Sequence, residues 1–451
     1  MSAVSAPTDR NASAAREDGA KGHIGLVVLA SITAGLSLGL MLTLAVFAGA
    51  DEPRIAGSAL VALGAGFALL AIASARYTSQ PQGWALVPGL SSILAGVVVA
   101  LMPTGRVFDM TGWVWPLLLA ALVVSSVRGT RRSLANWSRR ALVYPALVIL
   151  CLIAAGGAVA TVMAATSSNP VPTSGHTYLV NGNRLYLDCT GTGSPTVILF
   201  NGLGERTPSW AWVQANVSAT TRVCSFDRTG EGWSGGKATA HTGPQLASDA
   251  HALLAAAHVP APYVVAGHSV GGTYALVYAE RYPSQIAGVA LIDSSTPYQF
   301  DLPEYPGDYS MMKRAYALMP MVARTAIGKV MLRSGHSTLP PRARSAARSF
   351  ASSPRDLRAD RIELLQLPTI FDEAKALHTL DGKPLAVVSA GVGEMHGWAA
   401  AQNKLAQLST NSTHHTVAGA THEGLLEDEA FAGFASGAIT HVVKTARSAD
   451  R

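Results

Sequence analysis

The 451-residue sequence predicts an N-terminal bundle of about five transmembrane helices followed by an α/β domain with a mostly parallel sheet and a helical insertion. Three observations carry this expectation. Five long apolar runs succeed one another before residue 166, and beyond it short β-branched runs alternate with amphipathic stretches. One of those runs ends in a glycine-bracketed serine, AGHSVGG at residues 266–272. The composition agrees: 49% hydrophobic, only 14% charged, with mean hydropathy +0.26, the profile of membrane segments joined to a soluble part.

Residues 1–22 are Ser, Ala, Asp, Arg and Gly without period, and are expected to form a disordered cytoplasmic tail. The membrane domain is assigned to 23–166, with apolar runs at 24–48, 55–75, 84–102, 113–127 and 141–165. Most are long enough to cross a hydrocarbon core of about 30 Å. The fourth is short and carries Pro116, which leaves open an extension at either end or only partial entry into the bilayer. Buried core helices are the alternative, but five in succession with short polar joints argue for spans. No small-residue cleavage site follows the first run, so it reads as a retained span rather than a removed signal peptide.

The segment RGTRRSLANWSRR (128–140) carries Arg128, Arg131, Arg132, Arg139 and Arg140, and the positive-inside bias assigns it to the cytoplasm. Counting outward through five spans puts the N-terminus and Arg76 inside and GADEPR (49–54) and PTGRVFDMTG (103–112) outside. Everything after residue 165 then lies outside the cytoplasm, an assignment that needs the fourth run to span. The formal charge of +6 comes from arginines spread along the chain, and is read as topology rather than as a nucleic-acid partner.

A linker at 167–176 includes NPVPTSG (169–175). Next, YLVNGNRLYLDC (178–189) reads as a hairpin turned at Asn181-Gly182-Asn183. TVILF (196–200), RVCSFD (222–227), YVVAG (263–267), VALID (289–293), PLAVVSA (384–390) and THHTVAG (413–419) read as strands with helical stretches between most of them. That alternation argues for a largely parallel sheet covered by helices, with its first part at 177–296, a helical insertion at 297–380 and its second part at 381–445.

A glycine-bracketed serine is common enough in a chain with 43 glycines that the motif alone decides little. Its context decides more. A strand ends at Gly267 and the helix-like TYALVYAERY begins after Gly272, so Ser269 would sit on a sharp strand-to-helix turn at the C-terminal edge of the sheet.

At this point the chain resembles the α/β-hydrolase family, over about residues 176–443. The matching pieces are FNGLGE, SFDRTGEGWSGG, AGHSVGG, ALIDSS and AGATHEG, in that order. The resemblance implies a nucleophile at Ser269 and a base at His422, in GATHEGL after the last strand. It leaves two carboxylates to orient that base: Glu394 in SAGVGEMHGW, at the more usual position, and Asp293 in VALIDSS, which ends its strand cleanly. Oxyanion donors would be the backbone N–H groups of Val270 and Leu203. Asn201 stands where the family often has histidine. Asp227 and Arg228 would be structural, Glu423 is expected to face solvent, and His268 to point away from the serine. His414 and His415 are expected on strand faces.

The same resemblance sets the strands of Cys189 and Cys224 side by side, which makes a disulfide possible, with two buried thiols as the alternative. Cys151, in an apolar run, reads as a small hydrophobe. The insertion at 297–380 would be a cap over the site, covering the pocket or touching the bilayer, and the arginines from Arg342 to Arg361 a solvated helix face. The implied activity is cleavage of an ester-type bond in a small molecule or lipid, with no metal or organic cofactor. Peptidase and thioesterase chemistry would use the same residues. A catalytically silent binding or sensing module is the competing class, and it would be favoured by a missing serine or histidine.

Overall fold

The computed structural model describes residues 24–134, 140–141, 143–166, 170–336 and 338–449. The expected tail, Arg139 and the first residues of the expected linker lie outside the described residues. The chain divides into two compact units, Met1–Thr166 with Arg324–Ile327, and Ser167–Ala323 with Gly328–Arg451.

Among the described residues of the first unit, four helices are long and apolar enough to cross a membrane: Ile24–Val46, Glu52–Tyr77, Gly83–Ala100 and Tyr144–Thr166. A fifth span is available if the segments Arg106–Trp113 and Trp115–Ser133, bent by 42°, count as one. Asp51 caps the second helix by accepting the Arg54 N–H, and Pro53 lies in its first turn, where the missing donor costs nothing. That helix packs on the third along glycines: a Cβ at Gly64 would stand 2.6 Å from the Gly89 carbonyl, and one at Gly96 2.6 Å from that of Gly57. Close backbone approach of this kind suits helices that pack in lipid. The fourth run extends at its end, one of the outcomes the sequence leaves open: its helix continues to Ser133 through Gly129 and takes in Arg128, Arg131 and Arg132, and Pro116 falls in the tolerant first turn.

The second unit is built on an eight-stranded sheet of order β1-β2-β4-β3-β5-β6-β7-β8. The strands are β1 (Gly175–Val180), β2 (Asn183–Thr190), β3 (Thr196–Phe200), β4 (Val223–Phe226), β5 (Tyr263–His268), β6 (Ile286–Ile292), β7 (Leu385–Ala390) and β8 (Ser412–Val417). The β1–β2 and β2–β4 pairs are antiparallel and all others parallel. Asn181 (φ 48°) and Gly182 (φ 80°) turn the hairpin with two successive left-handed residues, as a tight primed turn requires.

The inner strands are apolar on both faces because both faces are covered. Val197, Leu199, Val264 and Ala266 pack with Trp210, Val213, Ile439 and Val443, whereas Ile198, Phe200 and Val265 pack with Leu253, Leu276 and Tyr278. The alternation of residue numbers between the two layers is the period of two of a strand. Between β6 and β7 run the helices Tyr305–Val322, Ala326–Leu332, Pro341–Ala351 and Pro354–Ala374, within the expected insertion.

Cys189 and Cys224 face each other across the β2–β4 ladder and are joined by a disulfide that closes a separation of 35 residues. Cys151 is exposed on its helix rather than buried, as an apolar side chain on a spanning helix can be. Replacing Cys189 and Cys224 together by alanine is expected to lower the stability of this unit by about 2–4 kcal/mol, since the unfolded chain regains the freedom the bridge removed. A depressed thermal midpoint of the full-length protein in detergent, matched by reduction of the wild type, checks this.

Candidate active site

Ser269 follows β5 and precedes the helix Val270–Arg281, with φ 55° and ψ −131°, a conformation that L-residues rarely hold. Its N–H donates to the Ile292 carbonyl (3.2 Å), and its own carbonyl accepts from Gly272 (3.1 Å) and Ser295 (2.9 Å). Glycine is required around it: a Cβ on Gly267 would overlap the Gly271 backbone, and one on Gly271 the Phe200 carbonyl. The turn therefore presents the serine, half-buried, at the C-terminal edge of the sheet.

His422 lies beyond β8 and its Nδ1 is 2.6 Å from Asp293 Oδ2, just past the end of β6. Asp293 is buried, has φ 38°, and its Oδ1 accepts from Ala390 N–H (3.1 Å) and Trp398 Nε1–H (3.0 Å). Burial alone would raise its pKa, but the His422 contact and these two donors hold it below the usual carboxylate value. Of the two carboxylates left open by the sequence, Asp293 faces the histidine. Glu394 is exposed on the loop after β7 and takes no part in that hydrogen bond. Partial desolvation and the nearby charge of Asp293 raise the pKa of its carboxyl.

Leu203 lies at the turn after β3, and Val270 opens its helix, so its N–H belongs to a first turn without intrahelical acceptors. The Asn201 side chain ties the loop after β3 to its surroundings, with Nδ2 donating to the Phe226 carbonyl (2.7 Å) and Oδ1 accepting from Trp210 Nε1 (2.9 Å). Arg228 braces the same loop, donating to the carbonyls of Asn201 (2.7 Å) and Gly202 (3.0 Å) and to Glu363 of the insertion (2.7 Å). Asp227, fully buried, accepts from the N–H groups of Thr207 (2.8 Å) and Trp233 (2.9 Å), and burial pushes its pKa up to about 6.

Several residues of the site carry no sequence signal of their own. Glu205 binds the ring of His268, which is fully buried beside the serine. Arg206 reaches Asp360 (2.5 Å), Asp356 (3.5 Å) and Glu231 (3.5 Å), all buried. Glu231, Asp360 and Glu363 bring carboxylate oxygens within 4.8 Å of one another, and each is already ion-paired with the guanidinium group of Arg206 or Arg228. A small pocket lined by Phe226, Arg228, His241, Tyr274 and Glu363 does not include Ser269 or His422. His414 bonds Ser389 and Asn403, His415 stacks on Phe434, and Glu423 is exposed, as expected. Arg355 is not simply solvated: it donates to the carbonyls of Gly230, Gly232 and Ser234.

The alpha/beta hydrolase fold family matches residues 195–429, more than half of the chain. The chain belongs to the alpha/beta hydrolase family. Among curated members of similar sequence, an uncharacterized protein of Schizosaccharomyces pombe is 26% identical over 227 residues, covering 48% of this chain and 41% of that protein. A pimeloyl-[acyl-carrier protein] methyl ester esterase of Chromobacterium violaceum is 32% identical over 118 residues, 26% of this hydrolase-family chain and 44% of the esterase. The chain thus spans under half the length of these relatives. Among solved structures, a thermophilic esterase from Thermogutta terrifontis aligns with a TM-score of 0.48 at 19% identity, over 60% of this chain and 98% of that one.

Proposed function

We propose that this alpha/beta hydrolase family member is a membrane-anchored serine hydrolase that cleaves an ester-type bond through an acyl-enzyme. The observation that carries the proposal is the His422–Asp293 pair at the sheet edge that also presents Ser269 on its strained turn. In this reading Asp293 holds the proton of His422 on Nδ1, which leaves Nε2 as the base that takes the Ser269 hydroxyl proton as Oγ attacks the ester carbonyl. The N–H groups of Leu203 and Val270 stabilise the oxyanion, by roughly 3–4 kcal/mol for one such donor in a known case. His422 then returns the proton to the leaving alkoxide. Water, activated by the same histidine, splits the acyl-serine and regenerates the free hydroxyl.

The substrate is a small-molecule or lipid ester, in keeping with the ester chemistry named for the Chromobacterium violaceum relative. The insertion between β6 and β7 acts as its cap. The apolar helices anchor the chain in a membrane, and the arginines at 128–140 together with the disulfide support a hydrolase unit outside the cytoplasm.

Treatment of the purified full-length protein with a fluorophosphonate probe tests this. Covalent labelling is expected, with the added mass on the peptide that contains Ser269. A folded wild type that takes no label, or takes it elsewhere, overturns the reading and leaves a binding module on a hydrolase fold.

A further inference from the structure

We propose that Glu205 and His268 form an ionised bridge that joins the oxyanion loop to the His422 loop, so that both are positioning residues for the chemistry at Ser269; the proposal rests on the hydrolase reading above. Both ring nitrogens of His268 face acceptors. Nδ1 meets the Glu205 carboxylate, and Nε2 lies 3.0 Å from the His422 carbonyl oxygen. A neutral imidazole carries one N–H and one lone pair, so one of these contacts would set a lone pair against an oxygen. Only the imidazolium donates to both. The second oxygen of Glu205 accepts the Gly202 N–H at 2.5 Å. A continuous chain therefore runs from the Gly202 N–H through Glu205 and His268 to the His422 backbone.

Each end of this chain fixes a part of the reaction centre. Gly202 immediately precedes Leu203, whose N–H is the proposed oxyanion donor, and the grip of Glu205 on Gly202 sets the plane of that loop. The loop is flush with the nucleophile: a Cβ on Gly202 would stand 3.0 Å from the Ser269 Cβ. At the other end, the His422 carbonyl is held in the same residue whose ring serves as base. His268 itself precedes Ser269 in the chain. The rings of His268 and His422 are 4.4 Å apart, so an unbalanced charge on His268 would oppose the imidazolium that His422 becomes during turnover. The carboxylate of Glu205 balances it.

The charged and titratable groups around the bridge come from four elements. Glu205 belongs to the oxyanion loop, Asp293 to the end of β6, His422 to the loop after β8, and His336 of the insertion interacts with Glu205. Burial disfavours the His268 charge, but Glu205, Asp293 and the His422 carbonyl outweigh it and raise the pKa to about 9. A raised histidine pKa gives stability that is complete below the unfolded value of about 6.5 and lost as pH rises through 9.

The test is the rate of fluorophosphonate labelling against pH for the full-length protein in detergent. Wild type is expected to lose rate above about pH 9, as His268 gives up its proton. Glu205→Gln keeps an acceptor for the Gly202 N–H and offers its amide N–H to a neutral His268. It is therefore expected to fold and to lose the alkaline fall near pH 9. His268→Gln reaches at most one of the two acceptors, and is expected to label roughly 10²-fold more slowly with no such fall. A role limited to packing would lower the rate without changing the shape of the profile. Wild type and Glu205→Gln sharing the same alkaline fall, or a wild-type rate that stays constant through pH 10, overturns the bridge alone. Absence of labelling at every pH overturns the hydrolase reading and the positioning role with it.

Discussion

Asp293→Asn is expected to slow hydrolysis of an activated short-chain ester by roughly 10⁴-fold, the loss known for an amide at the same place in a serine triad, with the fold intact. The reason lies in which oxygen is already committed. Asp293 Oδ1 accepts from both Ala390 N–H and Trp398 Nε1–H, while Oδ2 faces His422 Nδ1. An asparagine keeps its single carbonyl oxygen toward the two fixed donors and turns its amide N–H₂ toward the imidazole. His422 then carries its proton on Nε2 and has no lone pair for the serine. Glu394→Gln, on an exposed loop, is expected to keep the rate within about twofold, the scale of surface substitutions. Rates for the two variants at one pH, beside unchanged thermal midpoints, check the pair; a large loss in Glu394→Gln with none in Asp293→Asn would reverse their roles.

The contrast between these carboxylates marks where sequence reasoning runs out. Strands were legible because inner strands of a parallel sheet are continuous apolar runs: TVILF coincides with β3, and YVVAG falls one residue short of the end of β5. The serine was legible because its strained turn leaves a local trace in Gly267, Gly271 and Gly272. The partner of His422 left no such trace, since Asp293 is 129 residues away and both candidate carboxylates follow a strand at the same edge of the sheet. Glu205 and Arg206 were missed for a related reason. A charged pair in a loop after a strand reads as solvated, and only the fold shows that His268 and the carboxylates of the insertion close over it. The end of the fourth apolar run was not legible either: the sequence leaves its extension open, because arginines read equally well as a loop or, as here, as the last turns of a helix that reaches Ser133.

Those buried charges give the second large effect. Arg206→Met is expected to destabilise the hydrolase unit by about 3–5 kcal/mol, because it removes one partner of a buried ion pair and leaves the other charge behind. The Arg206 side chain is 2% exposed and lies among Asp360, Asp356 and Glu231, which are 6%, 5% and 5% exposed. Desolvation already pushes the Asp360 pKa up to about 6 against the attraction of Arg206, so without the guanidinium that carboxyl would bind a proton at still higher pH. The other two have alternative partners: Asp356 accepts the Gly232 N–H (2.7 Å), and Glu231 lies 3.1 Å from Arg228 Nε. The double variant Arg206→Met with Asp360→Leu should therefore recover much of the loss, as apolar groups of similar volume replace the closest pair. Thermal unfolding of the full-length protein in detergent reads both, with a fall of roughly 10 °C for the single variant. Equal midpoints for the single variant and wild type would mean that the carboxylates on Pro354–Ala374 do not depend on Arg206 for their charge.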